Sequence, residues 1–445
     1  MQRAHRPHRD WIAASAAVGA SWVIVAAGAL AGLSCSASGG QAAEGNDPIN
    51  VSGTQPAREV PDWNAFATDL VFGARLPPPL QVHALAVTHI AVHDALNAID
   101  RRYEPYEYAG SAPGASAPAA VAAAAHDALM QLVSSAGPAI DAEYNARLAS
   151  IPDGPAKEAG IAAGRASAAA ILSRRGAEDL LGALLDTPYT PGPPDPGVYQ
   201  PTPPTNTVLL AGWGAVIPFA LASQSQFRSP PPLAVDSGEY APVYEEVKSL
   251  GAAGSATRTA RQTETAKFWY DAATREWQVA ARKGLADEGA DEWRAARTLA
   301  LLSIAMFDAA TASIETKLTY RYWRPITAIR AGYDDGNPAT QGDPSWEPLC
   351  VTPPFPEYNS THAATAAAAA GVLGLTVGDC HEFTVDSPTL PGVSRSYARF
   401  SLAAAEEAVS RIYCGIHFRS AMEAGLAQGA AASGYVVGTL LRPVP

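Results

Sequence analysis

Positive charge is in deficit in this chain. Lys and Arg number 31 against 43 Asp and Glu, and the formal net charge is −12 over 445 residues. A broad nucleic-acid-binding face is excluded by that balance, whereas a small local cluster of basic residues would suit a small anion. Charged residues are few altogether, at 17 %. Runs of β-branched residues are short, which argues against extensive sheet. Long apolar runs are scarce too. One spans roughly Trp11 to Leu33, and no other stretch reads as long and apolar enough to cross a membrane. Cysteine is limited to four residues, one of which, Cys35, follows that first run. Cys350, Cys380 and Cys414 remain. Free buried thiols are the default reading, with a Cys350–Cys380 pair as the alternative in an oxidising compartment.

Alanine is what the chain has in abundance, and it favours closely packed helices. Proline and glycine, 37 of each, are too many for uninterrupted bundles and predict long ordered loops. The expected class is all-α: two four-helix-type bundles joined by Pro/Gly-rich segments. Arg3, Arg6 and Arg9, the apolar run and the small residues after it give residues 1–40 the form of an export signal. A retained membrane anchor is the alternative. Export would place the protein outside the cytoplasm. Residues 41–60 read as a disordered lead-in, 61–185 as an N-terminal bundle, 186–235 as a Pro-rich connecting strap and 236–445 as a C-terminal bundle.

Helical patterning begins near Trp63. Helices are predicted at about 83–99, 118–134, 137–149 and 155–175, then at 238–250, 258–283 and 291–317. The two halves resemble each other. Ile90-Ala91 and Asp94-Ala95 recur as Ile304-Ala305 and Asp308-Ala309. Glu158-Ala159-Gly160 recurs as Glu423-Ala424-Gly425. Between them, the helix from Pro118 resembles the one starting at His362. This pattern implies an old duplication, with the chemistry kept in the second copy. Asp94 and Asp308 are expected to cap or cross-link helices. His83, His89 and His93 share one helical stretch, but no cysteine or clear acid completes a metal site there, so they are read as structural.

Three clusters remain. Lys317 is followed seven places on by Arg324-Pro325. Phe355-Pro356-Glu357-Tyr358-Asn359-Ser360-Thr361-His362 is the second. Ser410-Arg411 followed by His417 is the third. Lys317, Arg324 and Arg411 supply three positive charges, two of them planar forks suited to an oxyanion. Ser360 adds a hydroxyl, and the backbone N–H of Thr361 a donor at a helix N-terminus. His362 and His417 can move a proton, or bind a metal or phosphorus centre, near neutral pH. Lys317 and Arg324 are spaced to share a helical face, although the pre-proline position favours a helix end at Arg324. Arg411 and His417 cannot share a face, and Gly415 predicts a helix end between them.

The ordered set resembles that of vanadium-dependent haloperoxidases, which share it with acid phosphatases of the type 2 phosphatidic acid phosphatase superfamily. Tyr322-Trp323-Arg324-Pro325 and Asp335-Gly336-Asn337-Pro338 add to the likeness, which runs from about residue 63 to the C-terminus. The resemblance implies a vanadate cofactor, a site that phosphate can also occupy. His417 would bind vanadium. Lys317, Arg324 and Arg411 would neutralise the vanadate oxygens, with hydrogen bonds from Ser360 and the Thr361 N–H. His362 would be the acid–base residue acting on hydrogen peroxide, and Phe355 would line the halide pocket. The implied substrates are hydrogen peroxide, a halide and a small organic molecule. No nucleic-acid partner is implied, nor a membrane for the mature domain, and a homodimer is among the expected assemblies.

Two departures stand out. Asn359-Ser360-Thr361-His362 replaces the family's Pro-Ser-Gly-His, and threonine can offer the glycine's N–H only at an ordinary φ. The acid often found four residues after the last histidine is Ala421 here, which tilts the reading away from phosphatase. The alternatives are a phosphatase, with His417 as nucleophile and His362 as general acid, and a non-catalytic oxyanion-binding protein.

Overall fold

Small side chains let helices approach closely, and that sets the architecture. The computed structural model describes residues 57–271 and 273–445. The export-signal segment and most of the lead-in therefore lie outside the described residues. The fold is mostly helical, as expected. The first half holds α1 (Glu59–Gly73), α2 (Pro78–Ile99), α3 (Ala117–Leu132), α4 (Gly137–Ala149), α5 (Pro155–Arg175) and the short α6 (Leu180–Leu185). After the strap come α7 (Tyr240–Gly251), α8 (Ala260–Phe268), α9 (Thr274–Asp287), α10 (Glu292–Tyr320), α11 (Pro325–Ala331) and α12 (Thr361–Thr376). Two four-residue strands, β1 (Phe383–Asp386) and β2 (Ser394–Tyr397), pair antiparallel. The chain ends with α13 (Phe400–Tyr413) and α14 (Arg419–Thr439).

At the centre α10 packs against α2, α12 and α14. It is long and apolar enough to span a bilayer, contrary to the expectation above. Burial explains the discrepancy: 94 % of its apolar window is covered by protein, as befits a core helix. A single large apolar cluster runs through both halves along this helix.

The duplicated positions do the same work in each copy. Asp94 accepts the N–H groups of Tyr106, Glu107 and Tyr108 at 2.7–2.8 Å. Asp308 accepts those of Phe219, Ala220 and Leu221 at 2.7–3.0 Å. Neither aspartate caps or cross-links helices. Each instead anchors three consecutive amides of a loop. Ser116 caps α3 as Ser360 caps α12. Gly160 lets α5 meet the start of α3, where an added Cβ would lie 2.4 Å from the Ser116 carbonyl oxygen. Gly425 does the same for α14 and α12, with the same 2.4 Å to the Ser360 carbonyl oxygen.

Three local expectations need correction. The helix predicted over 258–283 is two helices, α8 and α9, with a break after Phe268. The sequence reads as a loop over 376–395, yet that segment contains β1 and the start of β2. Cys350 pairs with Cys414, not Cys380. The cause is local: the Cys350 N–H donates to the Cys414 carbonyl at 3.0 Å, which seats the two Cα atoms 4.9 Å apart. The histidines of α2 have ordinary core partners. His83 bonds Glu178, His89 bonds Asn64, and His93 bonds Asp94 and Asn97.

Candidate oxyanion site

All three clusters meet in one buried place. Lys317 lies in the last turn of α10, which ends at Tyr320 because Arg321 takes a left-handed conformation. Arg324 then stands in extended backbone as the N-cap of α11, held there by Pro325. The two residues therefore do not share a face of one helix; the chain turns between them and still brings both heads inward. Lys317 Nζ donates to the carbonyls of Glu357, at 2.8 Å, and of Asn359. Arg324 Nε donates to the Phe355 carbonyl at 2.8 Å, and Nη1 to the Ile416 carbonyl at 2.9 Å. Its Nη2 is buried with no partner.

Arg411 comes from the end of α13. Its Nη1 donates to the carbonyls of Trp269 and Tyr270 at 2.8 and 3.1 Å, while its Nε is buried and unpartnered. Those carbonyls are freed by the break between α8 and α9, so the helix interruption is part of the site. Gly415, at φ +78°, ends α13 as expected and turns the chain toward His417. The ring of His417 follows, with Nε2 3.2 Å from Arg324 Nη1 and Nδ1 2.8 Å from Glu357 Oε1.

Ser360 caps α12, its hydroxyl accepting the Ala363 N–H at 3.4 Å, which leaves the hydroxyl proton free to donate. Thr361 opens the helix with an ordinary φ, so its N–H is one of the orphan donors of a helix start, as a glycine's would be. The two altered residues of the second cluster, Asn359 and Thr361, are tied down together. Ser313 Oγ donates to Asn359 Oδ1 at 2.7 Å and lies 2.8 Å from Thr361 Oγ1. Asn359 Nδ2 reaches Ser229 and Gln428. His362 is half-buried at the mouth, its Nε2 3.2 Å from the Asp271 carbonyl. The half-buried ring of Phe355 faces Lys317 Nζ at 5.5 Å and the Arg324 guanidinium at 5.0 Å.

Electrostatics mark the place as built for negative charge. Burial, with Arg324 beside it, holds the Lys317 ammonium well below its usual pKa. Burial draws Arg324 and Arg411 each down to about 10. His417 is lowered by burial, then by Arg324, Lys317 and Arg411. His362 is lowered by burial, then by Arg411. Glu357 runs the other way, pushed up to about 7 by burial against the pull of Arg324 and Lys317. Three buried basic side chains with two unpartnered guanidinium N–H groups stand against two raised carboxyl groups, Glu357 beside Arg324 and Lys317 and Glu407 beside Arg411. A tetrahedral oxyanion supplies what they lack, both charge and acceptors, so the donor set fits vanadate or phosphate.

Comparison with known proteins agrees. Residues 297–444 match the family model of the VCPO second helical-bundle domain. Over those residues the chain resembles the vanadium haloperoxidases. It is 28 % identical to the vanadium chloroperoxidase of Curvularia inaequalis over a 388-residue alignment covering 68 % of this chain. It spans 62 % of that relative's length. Among solved structures, a bacterial vanadium-dependent iodoperoxidase superposes with a TM-score of 0.73 at 24 % identity, covering 86 % of this chain and 97 % of the other. A holo-form bacterial vanadium-dependent chloroperoxidase gives 0.60 at 16 % identity, over 81 % and 93 % of the two chains. At these identities the superpositions speak for a shared fold.

Glu357, Asp271 and Ser313 touch residues of this candidate site, yet no sign of their part in it shows in the sequence. Glu357 sat inside the second cluster as one acid among 43 Asp and Glu. No local signal ties it to His417, 60 residues away.

Proposed function

We propose that this chain is a vanadate-dependent haloperoxidase, oxidising halide with hydrogen peroxide to hypohalous acid or a halogenated organic product. One observation carries the reading: two buried guanidinium N–H groups have no partner, one on Arg324, which touches His417 Nε2, and one on Arg411, whose charge acts on the same ring. In this proposal Lys317, Arg324, Arg411, Ser360 and the Thr361 N–H hold the oxygens of vanadate, and His417 Nε2 binds its vanadium. Bound vanadate would supply the centre that activates hydrogen peroxide for oxygen transfer to halide. His362 stands at the mouth and takes the peroxide proton. Its lowered pKa keeps the ring neutral and able to accept near neutral pH. Phe355 borders the halide. The export reading of the N-terminal segment is kept as part of the proposal.

A phosphatase is the second reading, and Glu357 is the reason to keep it. The absence of an acid after the last histidine tilted the sequence reading against that activity, but Glu357 occupies Nδ1 of His417. A paired assay separates the readings. Haloperoxidase predicts vanadate-dependent bromination of a phenol-type dye, inhibited by phosphate. Phosphatase predicts turnover of p-nitrophenyl phosphate, inhibited by vanadate. Both should vanish in His417→Ala. Bromination surviving that substitution would refute the role given to His417, and hydrolysis without bromination would favour the second reading.

A further inference from the structure

Glu357 is held from every side. Its N–H donates to the Tyr322 carbonyl at 2.9 Å, and its own carbonyl accepts from Lys317 Nζ at 2.8 Å. Its Oε1 accepts from His417 Nδ1 at 2.8 Å and from the Phe418 N–H at 2.9 Å. The residue is fully buried. Oε2 has no hydrogen-bond partner, so the side chain is not there to complete a polar network of its own.

The arrangement dictates a tautomer. A carboxylate oxygen already taking the Phe418 N–H can take one more donor, and His417 Nδ1 is within reach only as N–H. That leaves the lone pair on Nε2, where Arg324 Nη1 donates to it at 3.2 Å. This is the form in which Nε2 can bind a metal or attack phosphorus. Many superfamily members carry an acid four residues after the last histidine. Here that place is Ala421, buried, with its carbonyl accepting the Ser360 N–H at 2.9 Å. The position thus has a packing duty and no carboxylate.

We propose that Glu357 is the positioning residue of His417, supplying from the loop before α12 the orienting carboxylate that other members carry on the helix after the histidine. The inference rests on the oxyanion reading of the site and deepens it. It distinguishes two ways of holding an anion. Phosphate can sit on the cations alone, whereas vanadate that bonds to Nε2 depends on the ring being aimed and correctly protonated.

The test measures orthovanadate and inorganic phosphate affinity by equilibrium dialysis, on the full chain and on Glu357→Gln. Glutamine keeps the shape and loses the charge. Orthovanadate should bind about 10- to 100-fold more weakly, the usual effect of removing a ligand's outer partner. Phosphate should bind as well or more tightly, because a buried negative charge has gone from beside the cations. Unchanged vanadate affinity, or parallel loss of both anions, would overturn the proposal. The double variant Glu357→Gln/Ala421→Asp should recover vanadate affinity. A folded double variant, with the melting temperature of the single, that recovers none would overturn it too. Wild-type protein that takes up no orthovanadate would sink the vanadate reading itself, a result separate from failure of the variants.

Discussion

Replacing Gly425 with alanine would put a methyl carbon where none fits. The new Cβ would lie 2.4 Å from the Ser360 carbonyl oxygen, 3.0 Å from the Ala363 Cβ and 3.3 Å from the Ala364 nitrogen. Ordinary contact begins at 3.4 Å, so α14 and the start of α12 must part by about 1 Å. The atom struck is backbone, so no rotamer change relieves it. Overpacking of this kind destabilises by about 1–3 kcal/mol. The duplication provides a matched control. Gly160→Ala makes the same clash in the first copy, 2.4 Å from the Ser116 carbonyl oxygen and 3.0 Å from the Ala119 Cβ. Both variants should lower the denaturation free energy by similar amounts. Only Gly425→Ala shifts Ser360 and Thr361, and a displacement near 1 Å at such a site can cost on the order of 100-fold in rate. Urea denaturation and orthovanadate affinity, measured on both, check the reasoning. Equal loss of anion binding in both variants would refute it, as would a destabilised Gly425→Ala that binds as well as wild type.

Two further outcomes are expected. His89 is fully buried in the core, and burial, with Arg282 adding to it, takes its pKa from 6.5 down to about 3. A depressed base contributes stability that is present above 6.5 and lost as pH falls toward 3, at a slope of up to about 1.4 kcal/mol per pH unit. Any advantage of wild type over His89→Gln should therefore shrink as urea melts are taken from pH 7 down to about 4; a difference that does not vary with pH would refute this. Cys414→Ser opens a closure spanning 64 residues, for which chain entropy predicts a loss of about 4 kcal/mol. Reductant should lower the melting temperature more in wild type than in the variant. Equal lowering in both would show the bridge adds nothing.

The parts of the site legible in the sequence are those with a local signature. Gly415 broke a helix where it had to, because it alone tolerates φ +78° there. The helix start expected at Thr361 is there, with Ser360 as its N-cap. The break between α8 and α9 could not be read. Phe268-Trp269-Tyr270-Asp271 contains no glycine or proline, and what holds the chain open is Arg411 taking the Trp269 and Tyr270 carbonyls from far along the sequence. Glu357 was hidden for the same reason. Its partner is chosen by tertiary approach, not by spacing. The duplication was visible as matched residues, but their task was not. An aspartate within a helix normally suggests a helix contact, and only the fold reveals loop amides gathered around Asp94 and Asp308.

Everything depends on distant side chains sharing one anion. The most direct measurement is a crystal structure of the full chain soaked in orthovanadate. The expected result is one tetrahedral or five-coordinate density within bonding distance of His417 Nε2 and hydrogen-bond reach of Lys317, Arg324, Ser360 and Arg411. Density elsewhere, or a cradle left empty at saturating orthovanadate, would contradict the account.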